Sequence, residues 1–338
     1  MKNFRKNILF CLLLIFFVSC SEKESVKATK IGVFVPGIIA DSPTYAHFTQ
    51  GVLNAVEEFN STIQNEKQKV QVSVMEAGTN QSEWATKLTA LTVSGEYSVI
   101  ISSNPSLPEL AEPLTKQFPN QKYLMLDGAL SGNENIACVS YNQKEQTYLT
   151  GYISALLSKT HKVGLIAAQE YPVMNEILYP YFAQGAKDAV SGTTADFRIV
   201  GNWYDASRGQ EIADAMAKTG IDVILPICGG ASQGVIASAR EKGIKLAYID
   251  ENSFAKAPGI VISSCSTEQE KAAKEITLDF LNGKTEWGKT KVVGLKEGYI
   301  TFIQDDELYI QTVPQDVREK MQELVLGLKG GSIKVPEL

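Results

Sequence analysis

Short apolar runs alternate with longer amphipathic stretches along most of the chain. Lys30 to Val35 (Lys-Ile-Gly-Val-Phe-Val) reads as a buried strand, and Pro36-Gly37 stops it. Ser42-Pro43 then opens a helix, with Ser42 as N-cap and proline at the first helical position. Tyr45 to Phe59 repeats apolar residues at helical spacing: Phe48, Val52, Ala55, Val56 and Phe59. Further strands are expected at 70–75, 97–101, 122–126 and 136–141, with helices at 82–94, 108–118 and 143–157. The pattern then restarts. Strands at 162–168, 197–203, 221–227 and 245–250 alternate with helices at 174–190, 207–218 and 231–242. Strands at 260–264, 291–295 and 299–303 and helices at 268–281 and 314–328 complete the chain. Such alternation predicts βαβ units and parallel sheets. Two series divided near residue 140 predict an α/β protein of two lobes, each a mainly parallel sheet flanked by helices.

The first residues follow a different pattern. Lys2, Arg5 and Lys6 precede an unbroken apolar run from Ile8 to Val18. The run is too short for a membrane span, which needs roughly 20 residues, and it reads as a secretory signal. It ends in Phe17-Val18-Ser19-Cys20, which predicts a lipoprotein signal over residues 1–19 with Cys20 lipidated. Residues 20–29 are polar and read as a tether. The remaining length, about 319 residues, favours two lobes over one core. The expected division is 30–140 plus about 265–288 for the first lobe and 141–264 plus about 289–336 for the second. Without the signal, 29 Lys+Arg stand against 38 Asp+Glu, a net charge near −9. No basic block interleaves with aromatics, so nucleic acid is not an expected partner. Cys138, Cys228 and Cys265 are widely spaced among apolar residues and read as buried free thiols.

Little in the chain supports catalysis. His47 and His161 lie among polar residues, and no metal-ligand spacing, Gly-x-Ser-x-Gly elbow or Walker loop occurs. The expectation is a binding protein without catalytic residues, metal or cofactor. Two exported lobes suit a monomeric solute receptor that closes a small molecule between its sheet edges.

Strand ends supply the candidate site. Asp127 and Asp250 each terminate an apolar strand, where a carboxylate needs hydrogen-bond donors. Ile221 to Ile227 runs into Gly229-Gly230 and then a helix, the junction where open α/β sheets bind ligands. Tyr45, Tyr141, Tyr171 and the pair Trp203-Tyr204 gather at predicted edges, and Asn104 follows the third strand. Aromatic walls with carboxylates suit a flat heterocycle bearing hydroxyls.

Several segments carry a resemblance. They are Phe118 to Asp127 (Phe-Pro-Asn-Gln-Lys-Tyr-Leu-Met-Leu-Asp), Asn142 to Gly151, Trp203 to Gln210 (Trp-Tyr-Asp-Ala-Ser-Arg-Gly-Gln) and Gly229 to Ile236. Through them, residues 30–336 resemble the basic-membrane-protein or purine-nucleoside-receptor family of ABC-transporter substrate-binding lipoproteins. The resemblance implies the type I periplasmic-binding-protein fold with a hinge between lobes. It implies ABC permease and ATPase partners and an exported chain lipid-anchored to the cell membrane, on its periplasmic or extracellular face. Asp127 and Asp250 match two ligand-binding acids of nucleoside receptors, and Gly230 the loop glycine. The two stacking Phe fall on Thr44 and Leu225, an early Asp on Val35 or Pro36, and the ribose-binding Lys on Thr267. Pro36-Gly37 and Ser42 to Tyr45 look more like the riboflavin-binding branch. The expected ligand is therefore a flat heterocycle with a polyol or sugar tail, riboflavin favoured and purine nucleoside second. Ser42, Tyr45, Asn104, Asp127, Tyr171, Trp203, Gly229, Gly230 and Asp250 are its expected contacts.

Overall fold

The computed structural model describes residues 29–338. The signal segment 1–19, the lipidation site Cys20 and most of the 20–29 tether lie outside the described residues. The rest forms two six-stranded sheets, each covered by helices on both faces.

The first sheet has the order β11-β5-β4-β3-β1-β2, with β1 Lys30–Val35, β2 Gln71–Glu76, β3 Val99–Ser103, β4 Lys122–Leu126, β5 Ile136–Tyr141 and β11 Thr290–Val293. All its pairings are parallel. The alternation of side chains along each strand sorts the core into two layers. Ile31, Val33, Val35, Val99, Ile101, Leu124 and Leu126 share one layer with α1 (Pro43–Ser61). Phe34, Ile100, Tyr123 and Met125 face α2 (Trp84–Val93) and α3 (Leu107–Gln117).

The second sheet repeats this plan as β12-β10-β9-β8-β6-β7. Its strands are β6 Lys162–Ala167, β7 Thr194–Ile199, β8 Val223–Ile227, β9 Lys245–Asp250, β10 Val261–Thr267 and β12 Ile300–Phe302. Helices α4 (Gln143–Leu157) and α5 (Tyr179–Ala189) cover one face, and α6 (Ala206–Lys218) and α7 (Ser232–Lys242) the other. Read in order, β1 to β5 and β6 to β10 hold the same places in their sheets, so β4 corresponds to β9 and β3 to β8.

The chain passes between lobes three times. It leaves β5 for α4, leaves β10 for α8 (Gln269–Leu281), which packs on α1, and leaves β11 for β12. The expected boundaries therefore need correction. Residues 265–267 belong to β10 in the second sheet, and 290–293 belong to the first sheet beside β5. Thr290–Val293 is a short edge strand with two exposed residues, and such a strand carries little apolar signal. Helices α9 (Glu307–Thr312) and α10 (Gln315–Gly330) follow β12.

Three helix pairs meet through glycine. A Cβ on Gly151 of α4 would stand 1.9 Å from the carbonyl oxygen of Phe182 on α5, and one on Gly51 of α1 would stand 2.2 Å from that of Glu270 on α8. A Cβ on Gly234 of α7 would stand 1.7 Å from the Ala206 carbonyl oxygen of α6. No side chain larger than hydrogen fits these contacts without separating the helices.

Candidate functional site

Asp127 follows β4 and Asp250 ends β9, so corresponding strands of the two lobes each end in a carboxylate. Both have left-handed backbones, with φ of 54° and 73°. Among non-glycine residues this conformation favours Asp and Asn. The turn lifts each carboxylate off its sheet and into the space between lobes.

Both carboxyls titrate high. Burial pushes Asp127 up to about 8, and the charge of Asp250 adds to the effect. Burial pushes Asp250 up to about 6, against the pull of its hydrogen bond from Gln146. Each keeps a part-exposed edge by surface area. No Lys or Arg forms an ion pair with either carboxylate among the described residues. Lys256, the cation that lowers Asp250 slightly, is paired with Glu251.

The first turn of α4 serves both acids. Gln143 Nε2 donates to Asp127 Oδ1 at 3.4 Å, and Gln146 Nε2 donates to Asp250 Oδ1 at 3.2 Å and to the Cys265 carbonyl at 2.7 Å. The two glutamines are three residues apart, hence on one face of the helix. Sequence reasoning passed over them. Their signal is an i, i+3 pair of amides directly after the first lobe crossing.

Tyrosines ring the acids. Tyr45 packs on Gly37, where a Cβ would meet its ring at 2.5 Å. Asn104 Nδ2 donates to its hydroxyl at 3.3 Å. Burial raises the Tyr45 phenol to about 12, with smaller contributions from Asp127 and from Tyr204 of the other lobe. Burial also raises Tyr171, with Asp250 and then Asp127 contributing. Tyr141 at the end of β5 is raised by burial and by both acids. Asp127 and Asp250 both act on Tyr141 and Tyr171, and Asp127 on Tyr45, so these five residues lie near one another, with Asn104 bonded to Tyr45.

Ser42, Gly229 and Trp203 also have partners within the protein. Ser42 Oγ accepts from the Tyr45 N–H at 3.4 Å and caps α1, which leaves its O–H free to donate. Gly229 has φ 55°, and a Cβ there would lie 3.1 Å from the Trp203 carbonyl and 3.2 Å from its ring. Trp203's carbonyl also accepts the Ala231 N–H at 3.2 Å. The Gly229-Gly230 turn therefore admits the close approach of Trp203. Trp203 is half-buried against the second lobe's core, while Tyr204 is 64% exposed. Strand β7 ends at Ile199 rather than at 203, because Gly201 turns at φ 100°. Leu225, matched to a stacking ring, is fully buried mid-strand beside Leu165 and reaches no cleft. Trp203-Tyr204 is the aromatic pair on that wall. A cavity of about 870 Å³ opens beside the site and touches it at Asp250, while Asp127, Tyr45 and Trp203 lie off its walls.

Comparison with known proteins decides the class. A family model described as "ABC transporter substrate-binding protein PnrA-like" matches residues 28–330. The chain belongs to this PnrA-like family. Among relatives, Basic membrane protein A2 of Borrelia garinii subsp. bavariensis is 27% identical over 330 residues, covering 95% of this chain and 93% of that one. The ABC transporter nucleoside-binding protein BmpA of Lactococcus lactis subsp. cremoris is 23% identical over 257 residues, 71% of each chain. A solved solute-binding protein of an ABC transporter system from Aeropyrum pernix K1 superposes with a TM-score of 0.76 at 19% identity. It covers 92% of this chain and 94% of that one. The fold is thus the two-lobed periplasmic-binding type. PnrA-like membership makes the chain a substrate-binding protein, extracytoplasmic and non-enzymatic, whose partners are a small-molecule ligand and an ABC permease with its ATPase. Among the described residues, no helix is long and apolar enough to cross a membrane.

Proposed function

We propose that this PnrA-like receptor captures an uncharged nucleoside between its lobes and presents it to an ABC importer. The carboxylate pair carries the reading. Asp127 and Asp250 come from opposite lobes and act on one another, and among the described residues no Lys or Arg is ion-paired with either. Ligand N–H and hydroxyl donors favour the ionised form of both acids, and the ionised pair repels phosphate or carboxylate. Tyr45 from the first lobe and Tyr204 from the second provide aromatic faces for a base, replacing the Phe pair of nucleoside receptors. The Lactococcus relative is named as nucleoside-binding, which adds to this reading. Nucleoside now stands ahead of riboflavin, which the likeness of the Pro36 to Tyr45 segment and the missing Phe pair and ribose-binding Lys had favoured.

Calorimetry of ligand-free protein tests it. Adenosine, guanosine or inosine should bind, and the matching 5′-monophosphate should bind at least tenfold more weakly. Quenching of riboflavin fluorescence with all three nucleosides silent would reverse the choice. The receptor is also proposed to be a monomer tethered through Cys20. A Cys20→Ala variant should leave the membrane fraction, and the detached protein should elute as one chain.

A further inference from the structure

Tyr141 is the last residue of β5, where the chain leaves the first lobe for α4. It is 3% exposed, and its hydroxyl has no hydrogen-bond partner. The strand register places it beside the acids: Leu126 pairs with Val139, and the Asp127 N–H donates to the Val139 carbonyl at 2.9 Å. Tyr141 follows two residues later on the same edge. The groups whose charge it senses are Asp127, Asp250, Tyr299 and Glu268. These are acids and one other phenol, so the Tyr141 hydroxyl is a donor in a site dominated by acceptors.

A buried hydroxyl without a partner costs stability, and phenylalanine would fill the same space without that cost. Keeping the hydroxyl at the meeting point of two lobes makes sense if a bound molecule uses it. We propose that Tyr141 is a ligand-contact residue whose hydroxyl donates to an acceptor atom of the ligand, a ring nitrogen or a sugar oxygen. That acceptor lies between the donors the ligand offers to Asp127 and Asp250. The inference rests on the nucleoside reading. It adds a requirement for an acceptor flanked by donors, which the acid pair alone does not impose.

Tyr141→Phe tests it in two measurements. In ligand-free protein, prepared by unfolding, dialysis and refolding, urea unfolding should give a midpoint equal to or above wild type. In calorimetry, adenosine affinity should fall about tenfold, the scale of one lost hydrogen bond in a dry site. A chemical double-mutant cycle with 1-deaza-, 3-deaza- and 7-deazaadenosine and 2′-deoxyadenosine then locates the acceptor. One analogue should bind wild type as weakly as adenosine binds the variant, and should lose nothing more in the variant. Adenosine binding equally to both proteins overturns this inference and leaves the nucleoside reading in place. So does a destabilised ligand-free variant with unchanged affinity, which assigns the hydroxyl to an internal water. Failure of every nucleoside to bind wild type overturns the ligand class and this inference with it.

Discussion

Asp127 and Asp250 are the same residue in the same left-handed conformation at the ends of corresponding strands, one in each lobe. The two-lobed plan thus delivers one carboxylate from each side of the cleft. Gln143 and Gln146, on one face of α4, hold them. Asn tolerates this backbone almost as well as Asp. Asp127→Asn and Asp250→Asn should therefore fold like wild type and lose affinity about tenfold or more, since a charge-assisted hydrogen bond is worth roughly 1.5–3 kcal/mol. Calorimetry reads the loss. Wild-type affinity in both variants would remove the pair from the site. Asp250→Ala should weaken binding similarly and cost some stability as well, because alanine does not favour φ near 73°.

The pair also links protons to stability. Burial raises Asp127 to about 8 and Asp250 to about 6, with Asp250's charge adding at Asp127. In the unfolded chain both titrate near the ordinary value of about 3.9. The folded state therefore holds these protons more tightly. Their stabilisation is complete below about pH 4 and is lost as pH rises through the folded values. The thermal midpoint of wild type minus that of Asp127→Asn, both ligand-free, should fall between pH 4 and 8, with the decline extending above pH 6. A flat difference would mean that Asp127 is solvated. Ligand donors favour the ionised carboxylates, so binding at pH 7 should release protons, which calorimetry in buffers of different ionisation enthalpy detects.

Close packing of α6 on α7 positions the second lobe's aromatic wall. A Cβ on Gly234 would lie 1.7 Å from the Ala206 carbonyl, and one on Gly209 2.3 Å from the Ala231 carbonyl. Gly234→Ala must separate the helices and should cost about 1–3 kcal/mol. It should also weaken ligand binding, because Trp203 and the Gly229–Ala231 turn lie just before the first turns of these helices. Gly330→Ala is the control. It faces open space in α10 and should be neutral or slightly stabilising. Equal midpoints for the two variants in urea would contradict the packing argument.

Strand–helix alternation made the two lobes legible, because each parallel sheet is buried on both faces and its strands are continuous apolar runs. Asp127 and Asp250 were legible for a related reason: a charge at the end of such a run stands out. The exceptions have physical causes. Thr290–Val293 is an edge strand with too few buried residues to signal its sheet. Trp203 looked like a strand end because Val200 continues the apolar run beyond Ile199, but Gly201 turns the chain first. Gly229-Gly230 marked a close approach correctly, yet the approaching group is Trp203's own backbone and ring. Pattern alone does not reveal that partner, nor does it show that the Tyr141 hydroxyl is unpaired.

Trp203 and Tyr204 should separate into different roles. Trp203 is half-buried against the core, fixed through its carbonyl by the Ala231 N–H, with its ring edge on Gly229. Tyr204 is 64% exposed, and its N–H is held by Asn202 Oδ1 at 2.9 Å. It is also the group of the second lobe that contributes to the raised Tyr45 phenol, which places the two hydroxyls near one another. A base between them gains about 0.5–1.5 kcal/mol per ring contact. Tyr204→Ala should therefore weaken nucleoside binding roughly three- to tenfold without moving the urea midpoint. Trp203→Ala should lower stability by about 1–3 kcal/mol, because packing is removed, with a smaller direct effect on the ligand. Paired unfolding and calorimetry on both variants measure this. If Tyr204→Ala binds like wild type while Trp203→Ala loses affinity at unchanged stability, Trp203 is the stacking wall and Tyr204 a surface ring.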